Sequence, residues 1–260
     1  MKKLELPNRK QQTIVGILEQ PAGVVRGTAV LQHGWHTNKE HSAIQATKQG
    51  FHQAGFQTFN FDTTNSFGES AGDYEKSTLG LHYEDFVDVV QWVQKQAWYV
   101  APLALAGHSM GGYSAVRYAM EYPAEVAYLI PVAPVVSGKL SFESVARRNP
   151  ELLAKWQAAG VYITERKGSV RKKHWFQMEE RLQHDLLPQA NKITIPTLII
   201  AGSEDTSCPL DHIQQLYDAL GSPDKTLHII AGATHAFREQ SEQIECTGVV
   251  ARWLVSHITY

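Results

Sequence analysis

Ser109 stands in the run Leu103-Ala-Leu-Ala-Gly107-His-Ser109-Met-Gly111-Gly112, where an apolar strand-like stretch meets G-x-S-x-G and a helical pattern starts at once. A serine there would sit on a sharp strand-to-helix turn with its hydroxyl held above the strand ends, poised to attack a carbonyl. The five-residue pattern alone is weak, since chance alone supplies it in about one chain in ten of this length. Gly68-Glu-Ser70-Ala-Gly72 matches it as well. Ser70, however, follows a polar loop well past its strand and no helix opens after Gly72, so the chemistry points to Ser109.

A serine hydroxyl needs a general base within hydrogen-bond reach, and that base needs a group to fix its tautomer. Twelve histidines compete. A nucleophile on such an elbow is followed along the chain by an acid and then by the histidine. His235 comes just after the last strand-like run, Leu227-His-Ile-Ile, whereas His228 lies inside that run and His257 in the closing helical stretch. Two adjacent carboxylates, Glu204 and Asp205, follow the preceding strand; the turn begins at Gly202, and a G-x-x-D spacing favours Asp205. Attack would create an oxyanion, and donors aimed at it carry much of the catalysis. The expected donors are the backbone N–H of Met110, just after the serine, and that of Trp35 in the loop His33-Gly34-Trp35-His36. His33, His36 and His41 lack the spacing of a zinc site, so they read as loop-stabilising, with no metal and no cofactor implied.

The elements that must position these groups recur in order. Apolar, β-branched runs at 27–32, 56–61, 103–106, 126–132, 197–201 and 227–230 read as strands covered on both faces, after an opening hairpin at 3–6 and 13–18. Helical patterns at 42–54, 81–96, 113–121 and 244–258 alternate with them. This predicts an α/β chain with a mainly parallel, eight-stranded twisted sheet flanked by helices, a single domain over 1–260. Between Pro134 and Pro196 the rhythm breaks, and 135–190 reads as a small cap insertion. It holds helical stretches at 142–147, 151–158 and 177–187 and a hairpin that turns at Lys167-Gly168-Ser169. Its aromatics Trp156, Tyr162 and Trp175, with Trp35, are candidate substrate contacts; Phe176 is a further aromatic of the same segment. The basic run Arg171-Lys172-Lys173 reads as a solvated face.

Composition narrows the rest. The chain has 260 residues, a net charge of -2 and no basic footprint, which argues against nucleic acid as a partner. The N-terminus lacks the apolar core of a signal peptide, and no run is long enough to span a bilayer. Two cysteines, Cys208 and Cys246, read as unpaired thiols suited to the cytoplasm. A small-molecule ester is the expected partner, and a homodimer is compatible with the sequence.

Taken together, the His-Gly-Trp loop, the GHSMGG elbow, G-x-x-D and the late histidine resemble the α/β-hydrolase superfamily over nearly the whole chain. The stretch from Asp62 to Gly72 is similar to the D-x-x-G-x-G-x-S-x-G loop of these enzymes, with Ser66 in place of the first glycine. Among subfamilies the resemblance is to bacterial cinnamoyl (feruloyl) esterases and related small carboxylesterases, with Trp35 for their phenylalanine and Met110 for their glutamine. It implies a serine carboxylesterase acting on small acyl or hydroxycinnamoyl-type esters through an acyl-enzyme. The alternatives are a monoacylglycerol-type lipase or thioesterase and, from another class, a ligand-binding protein on the same fold.

Overall fold

In the computed structural model, which describes residues 1–166 and 169–258, the apolar runs form one eight-stranded sheet. Its strands are β1 (Lys2–Pro7), β2 (Thr13–Glu19), β3 (Gly27–Gln32), β4 (Phe56–Asp62), β5 (Leu103–His108), β6 (Tyr128–Val132), β9 (Thr197–Gly202) and β10 (Lys225–Ile230). Their order across the sheet is β1-β2-β4-β3-β5-β6-β9-β10. β1 and β2 run antiparallel at one edge and the rest are parallel. Strands β3, β4 and β5 are buried along their whole length. That explains why β3 and β5 read as nearly continuous apolar runs, while β4 buries Gln57, Thr58 and Asn60 among its phenylalanines.

Helices α1 (Ser42–Gln53), α2 (Leu79–Gln94), α3 (Met110–Glu121), α7 (Leu210–Ala219) and α8 (Gln240–His257) make the crossovers and the close. The α7 helix was not foreseen in the sequence. From β3 the chain steps through α1 to β4, then returns through α2 across β3 to β5. Right-handed crossovers in opposite directions put successive helices on opposite faces. α1 therefore packs against α8, and α2 against α3. The adjacent strands β3 and β5 thus send their chains to opposite sides, which opens a crevice at their carboxyl ends, where ligands bind in such sheets.

The residues between β6 and β9 form α4 (Gly138–Arg148), α5 (Pro150–Ala159), the hairpin β7 (Val161–Arg166) and β8 (Ser169–His174), and α6 (Trp175–Arg181). The expected third helix is split into α6 and a 3-10 turn at Leu187–Lys192. The hairpin is present, while the residues expected at its turn, Lys167 and Gly168, lie outside those described. A neck closes the segment: Ser137 bridges Asp185, and the N–H of Leu186 donates to the Val136 carbonyl at 3.0 Å. Leu153, Trp156 and Met178 form its own small buried cluster, apart from the core that spans both faces of the sheet.

Candidate active site

Ser109 follows β5 at a backbone φ of 57° and ψ of -114°. A non-glycine residue rarely adopts this region, and the strain is held by the surrounding packing. Its N–H donates to the Val132 carbonyl at 3.0 Å, and its carbonyl accepts from both Tyr113 and Val135. The turn is also sterically specific. A Cβ on Gly111 would lie 2.1 Å from the Gln32 carbonyl oxygen, and one on Gly34 would lie 2.9 Å from the Ser109 Cβ. The loop after β3 therefore presses directly on the serine, and the elbow fits beneath it only with glycine at both contacts.

Asp205 follows β9 and His235 follows β10, so three strand ends bring the residues together. Asp205 is buried; its Oδ1 accepts from the N–H groups of Ser207 (2.7 Å) and Cys208 (2.9 Å). Its Oδ2 lies 2.7 Å from His235 Nδ1, and His235 Nε2 lies 3.0 Å from Ser109 Oγ. A carboxylate can only accept, so Nδ1 carries the proton and Nε2 turns its lone pair to the serine hydroxyl. Glu204 is exposed and stands outside this chain of bonds. Ser70 is committed elsewhere: its hydroxyl donates to the Asp62 carbonyl at 2.6 Å and accepts from the Val15 N–H at 2.8 Å.

Met110 opens α3, and helix geometry leaves its N–H without an intrahelical acceptor. With Trp35 next to Gly34, the two expected oxyanion donors flank Ser109. The first-loop histidines serve structure. His33 Nε2 accepts from the Thr63 N–H at 3.0 Å, so Nδ1 donates to the Gly34 carbonyl at 2.7 Å and fixes the loop. His41 caps α1 by accepting from the Ala43 N–H and stacks on His108 at 4.6 Å.

Two residues escaped sequence reading. The His108 side chain donates from Nε2 to the His235 carbonyl at 2.7 Å, tying the elbow to the loop of the candidate base. Burial, and after it His41 and His235, holds its imidazole neutral well below the ordinary range. The only sequence signal was its place inside GHS. Cys208, taken as incidental, borders the site. Asp205, Cys208 and His235 have potential ligand atoms within 4.8 Å of one another, the sole such group among the described residues. Burial and then the Asp205 charge push the Cys208 thiol far up, and both Asp205 oxygens already accept hydrogen bonds.

Ser109 opens into a cavity of about 790 Å³ whose far wall comes from the β6–β9 segment. Trp35, Trp156 and Tyr162 line it, whereas Trp175 does not. Trp175 packs edge-on behind Trp156 at 5.3 Å and beside Phe142, because the first residue of α6 turns into the segment's own small cluster. Phe176 is exposed. The basic run also departs from expectation. Strand alternation sends Arg171 and Lys173 into the cavity, and only Lys172 faces outward, where it pairs with Glu75 at 3.3 Å.

The profile of the serine aminopeptidase S33 family matches residues 23–179 and 164–241. The chain belongs to that family. It is an α/β-hydrolase, a serine hydrolase of esterase or lipase type. It is 24% identical to the monoacylglycerol lipase of Mycolicibacterium smegmatis, over 90% of this chain and 89% of that protein. It is 23% identical to mouse palmitoyl-protein thioesterase ABHD10, over 80% of this chain and 69% of the relative. Among solved structures it is similar to Est1E from Butyrivibrio proteoclasticus with ferulic acid bound. There the TM-score is 0.81 at 20% identity, over 98% of both chains. No helix among the described residues is long and apolar enough to cross a membrane.

Proposed function

We propose that this hydrolase is a serine carboxylesterase in which Ser109 is the nucleophile, His235 the general base and Asp205 the group that orients it. The observation that carries this reading is the unbroken bond chain from Asp205 Oδ2 through His235 to Ser109 Oγ, at 2.7 and 3.0 Å, at the base of the cavity. Ser109 attacks the ester carbonyl while its proton passes to His235 Nε2, and the resulting imidazolium is stabilised by Asp205. The N–H groups of Trp35 and Met110 receive the oxyanion. The alcohol leaves with the proton from His235, and water then attacks the acyl-enzyme through the same base.

The substrates are small acyl or aromatic acyl esters of hydroxycinnamoyl type. The 135–190 segment acts as a cap, and Trp35, Trp156 and Tyr162 contact the substrate. The likeness to Est1E and a bounded, aromatic-walled cavity support this class. A monoacylglycerol-type lipase is the second reading, favoured by the mycobacterial relative. Two unpaired, buried cysteines accord with a cytoplasmic setting.

The test is hydrolysis of an ester panel by wild type and Ser109→Ala: ethyl butyrate, longer acyl esters, monoacylglycerols and methyl hydroxycinnamates. Activity should vanish in the variant, and combining Ser109→Ala with His235→Ala should cost little more than either alone. Equal activity in the variant, or additive losses, would reject the assignment.

A further inference from the structure

The cavity holds positive charge that the protein does not neutralise. Arg181, Lys173, Arg171 and Arg148 all line it, and among the described residues none of them forms an ion pair. Their outward-facing neighbours do: Arg147 pairs with Asp211 and Lys172 with Glu75. Glu165, the carboxylate of the cavity wall, is exposed and forms no ion pair with any of these four. Glu180, next to Arg181, is already spent on His184 and on the N–H groups of Leu79 and Gly80.

Arg181 is the sharpest case. Its Nε is buried with no hydrogen-bond partner, Nη2 lies 3.4 Å from Met110 Sδ, and the guanidinium sits 4.8 Å from the centre of the Trp35 ring. Lys173 Nζ lies 5.3 Å from the same ring centre. Aromatic faces hold cations in place, but they return only part of the desolvation that a buried charge loses. Two cations are thus fixed around one indole, beside both expected oxyanion donors. Apart from the bond from Arg181 Nη2 to Met110 Sδ, their side chains make no hydrogen bond to the protein among the described residues.

We infer that the cavity takes an ester that carries an anionic group, carboxylate or phosphate, docked between Arg181 and Lys173 a few atoms from the scissile carbonyl. The inference rests on the reading of Ser109 as nucleophile and narrows its substrate class. The surroundings agree with it. Burial first, and then Lys173, Arg171 and Arg181, push the imidazole of His36, which faces them from the loop after β3, down to about 3, so it adds no further cation to the cavity. A planar guanidinium with free N–H donors recognises carboxylate or phosphate by paired hydrogen bonds.

The test compares size-matched esters on the wild type and on Arg181→Gln and Lys173→Met. Monoethyl adipate against ethyl hexanoate places a carboxylate on the acyl side. Butyryl glycolate against ethyl butyrate places it on the alcohol side, and butyryl glycerol phosphate against monobutyrin replaces it with phosphate. At least one anionic member should exceed its neutral partner in kcat/KM tenfold or more. Either substitution should bring that ratio towards one, and 0.5 M KCl should shrink it. Ratios near one in all three pairs, or a preference that both substitutions leave intact, would overturn the inference. A fluorophosphonate probe that labels Ser109 reports the nucleophile independently, so failure of the triad reading is distinguishable. If the probe labels Ser109 but no ester is turned over, protection from labelling by adipate is compared with protection by 1,6-hexanediol. Equal protection would count against the anionic site, and stronger protection by adipate would support it.

Discussion

The sheet side of the cavity and the β6–β9 side are built by different physics. On the sheet side, Ser109 and Asp205 follow the fully buried strands β5 and β9, His235 follows the edge strand β10, and the elbow leaves no room for a Cβ at Gly34 or Gly111. The opposite wall has only Leu153, Trp156 and Met178 as a buried cluster of its own. It is docked largely by polar bonds: Glu180 to the start of α2, Gln177 to the carbonyls of Glu75 and Ser77, and His174 to Glu75 at 2.7 Å. A close-packed core holds geometry to a fraction of an ångström, whereas a small polar-docked cluster opens locally at much lower cost. The proposed mechanism accordingly puts the chemistry on the rigid side and the substrate-facing variety on the loose one.

The comparison breaks most sharply at Asp205. Asp205→Asn keeps the shape but offers His235 an amide in place of a carboxylate, which disturbs the tautomer and leaves the imidazolium unpaired. The expected loss in kcat is about a thousand- to ten-thousandfold for every ester tested. Glu204→Gln, one residue away and exposed, should leave kcat unchanged. Steady-state kinetics on both variants decides the matter, and comparable losses would move the orienting role off Asp205.

Trp156→Ala probes the other side. The indole is buried and donates from Nε1 to the Lys173 carbonyl at 2.8 Å, bridging α5 to the hairpin. Truncating a buried tryptophan costs about 3–5 kcal/mol. That loss should fall on the β6–β9 segment, seen as faster amide exchange across α4 to α6 with β3, β5 and β9 still protected. KM for the preferred ester should rise while fluorophosphonate labelling of Ser109 persists. Equal loss of protection in the sheet would mean that the two sides form one cooperative unit.

What the sequence disclosed follows the same division. Parallel strands buried on both faces announce themselves as apolar runs, and Gly27–Gln32 is found at the boundaries expected. That Ser109, Asp205 and His235 come together was legible because each follows a particular strand. The far wall was harder. Trp156 and Trp175 look alike in sequence, and only packing sends one into the cavity and the other behind it. The run 171–173 read as a solvated face because charge suggests exposure, yet hairpin alternation turns two of its three cations inward. His108 stayed hidden since its bond runs to the carbonyl of a residue 127 positions away, a pairing that no local pattern carries.

The smallest expected effect separates two histidines of the loop after β3. His41, on the sheet side, is pushed down to about 4 by burial, with lesser contributions from His235, His33 and Arg238. His36 is pushed down to about 3 by burial and by the cations of the opposite wall. In the unfolded chain both titrate near 6.5. Between that value and the folded one, the unfolded chain binds a proton that the folded chain does not. Stability is therefore full above pH 6.5 and falls as the pH drops through the window, by about 1.4 kcal/mol per pH unit for each histidine. His41→Asn, which keeps a side chain able to cap α1, should flatten the slope of urea-unfolding stability between pH 6 and 5 by about that amount. Replacing Lys173 and Arg181 together with neutral residues should raise the folded pKa of His36 while leaving the contribution of His41 unchanged. If both contributions moved together, the cations of the far wall would act on the whole loop after β3 and not on His36 alone.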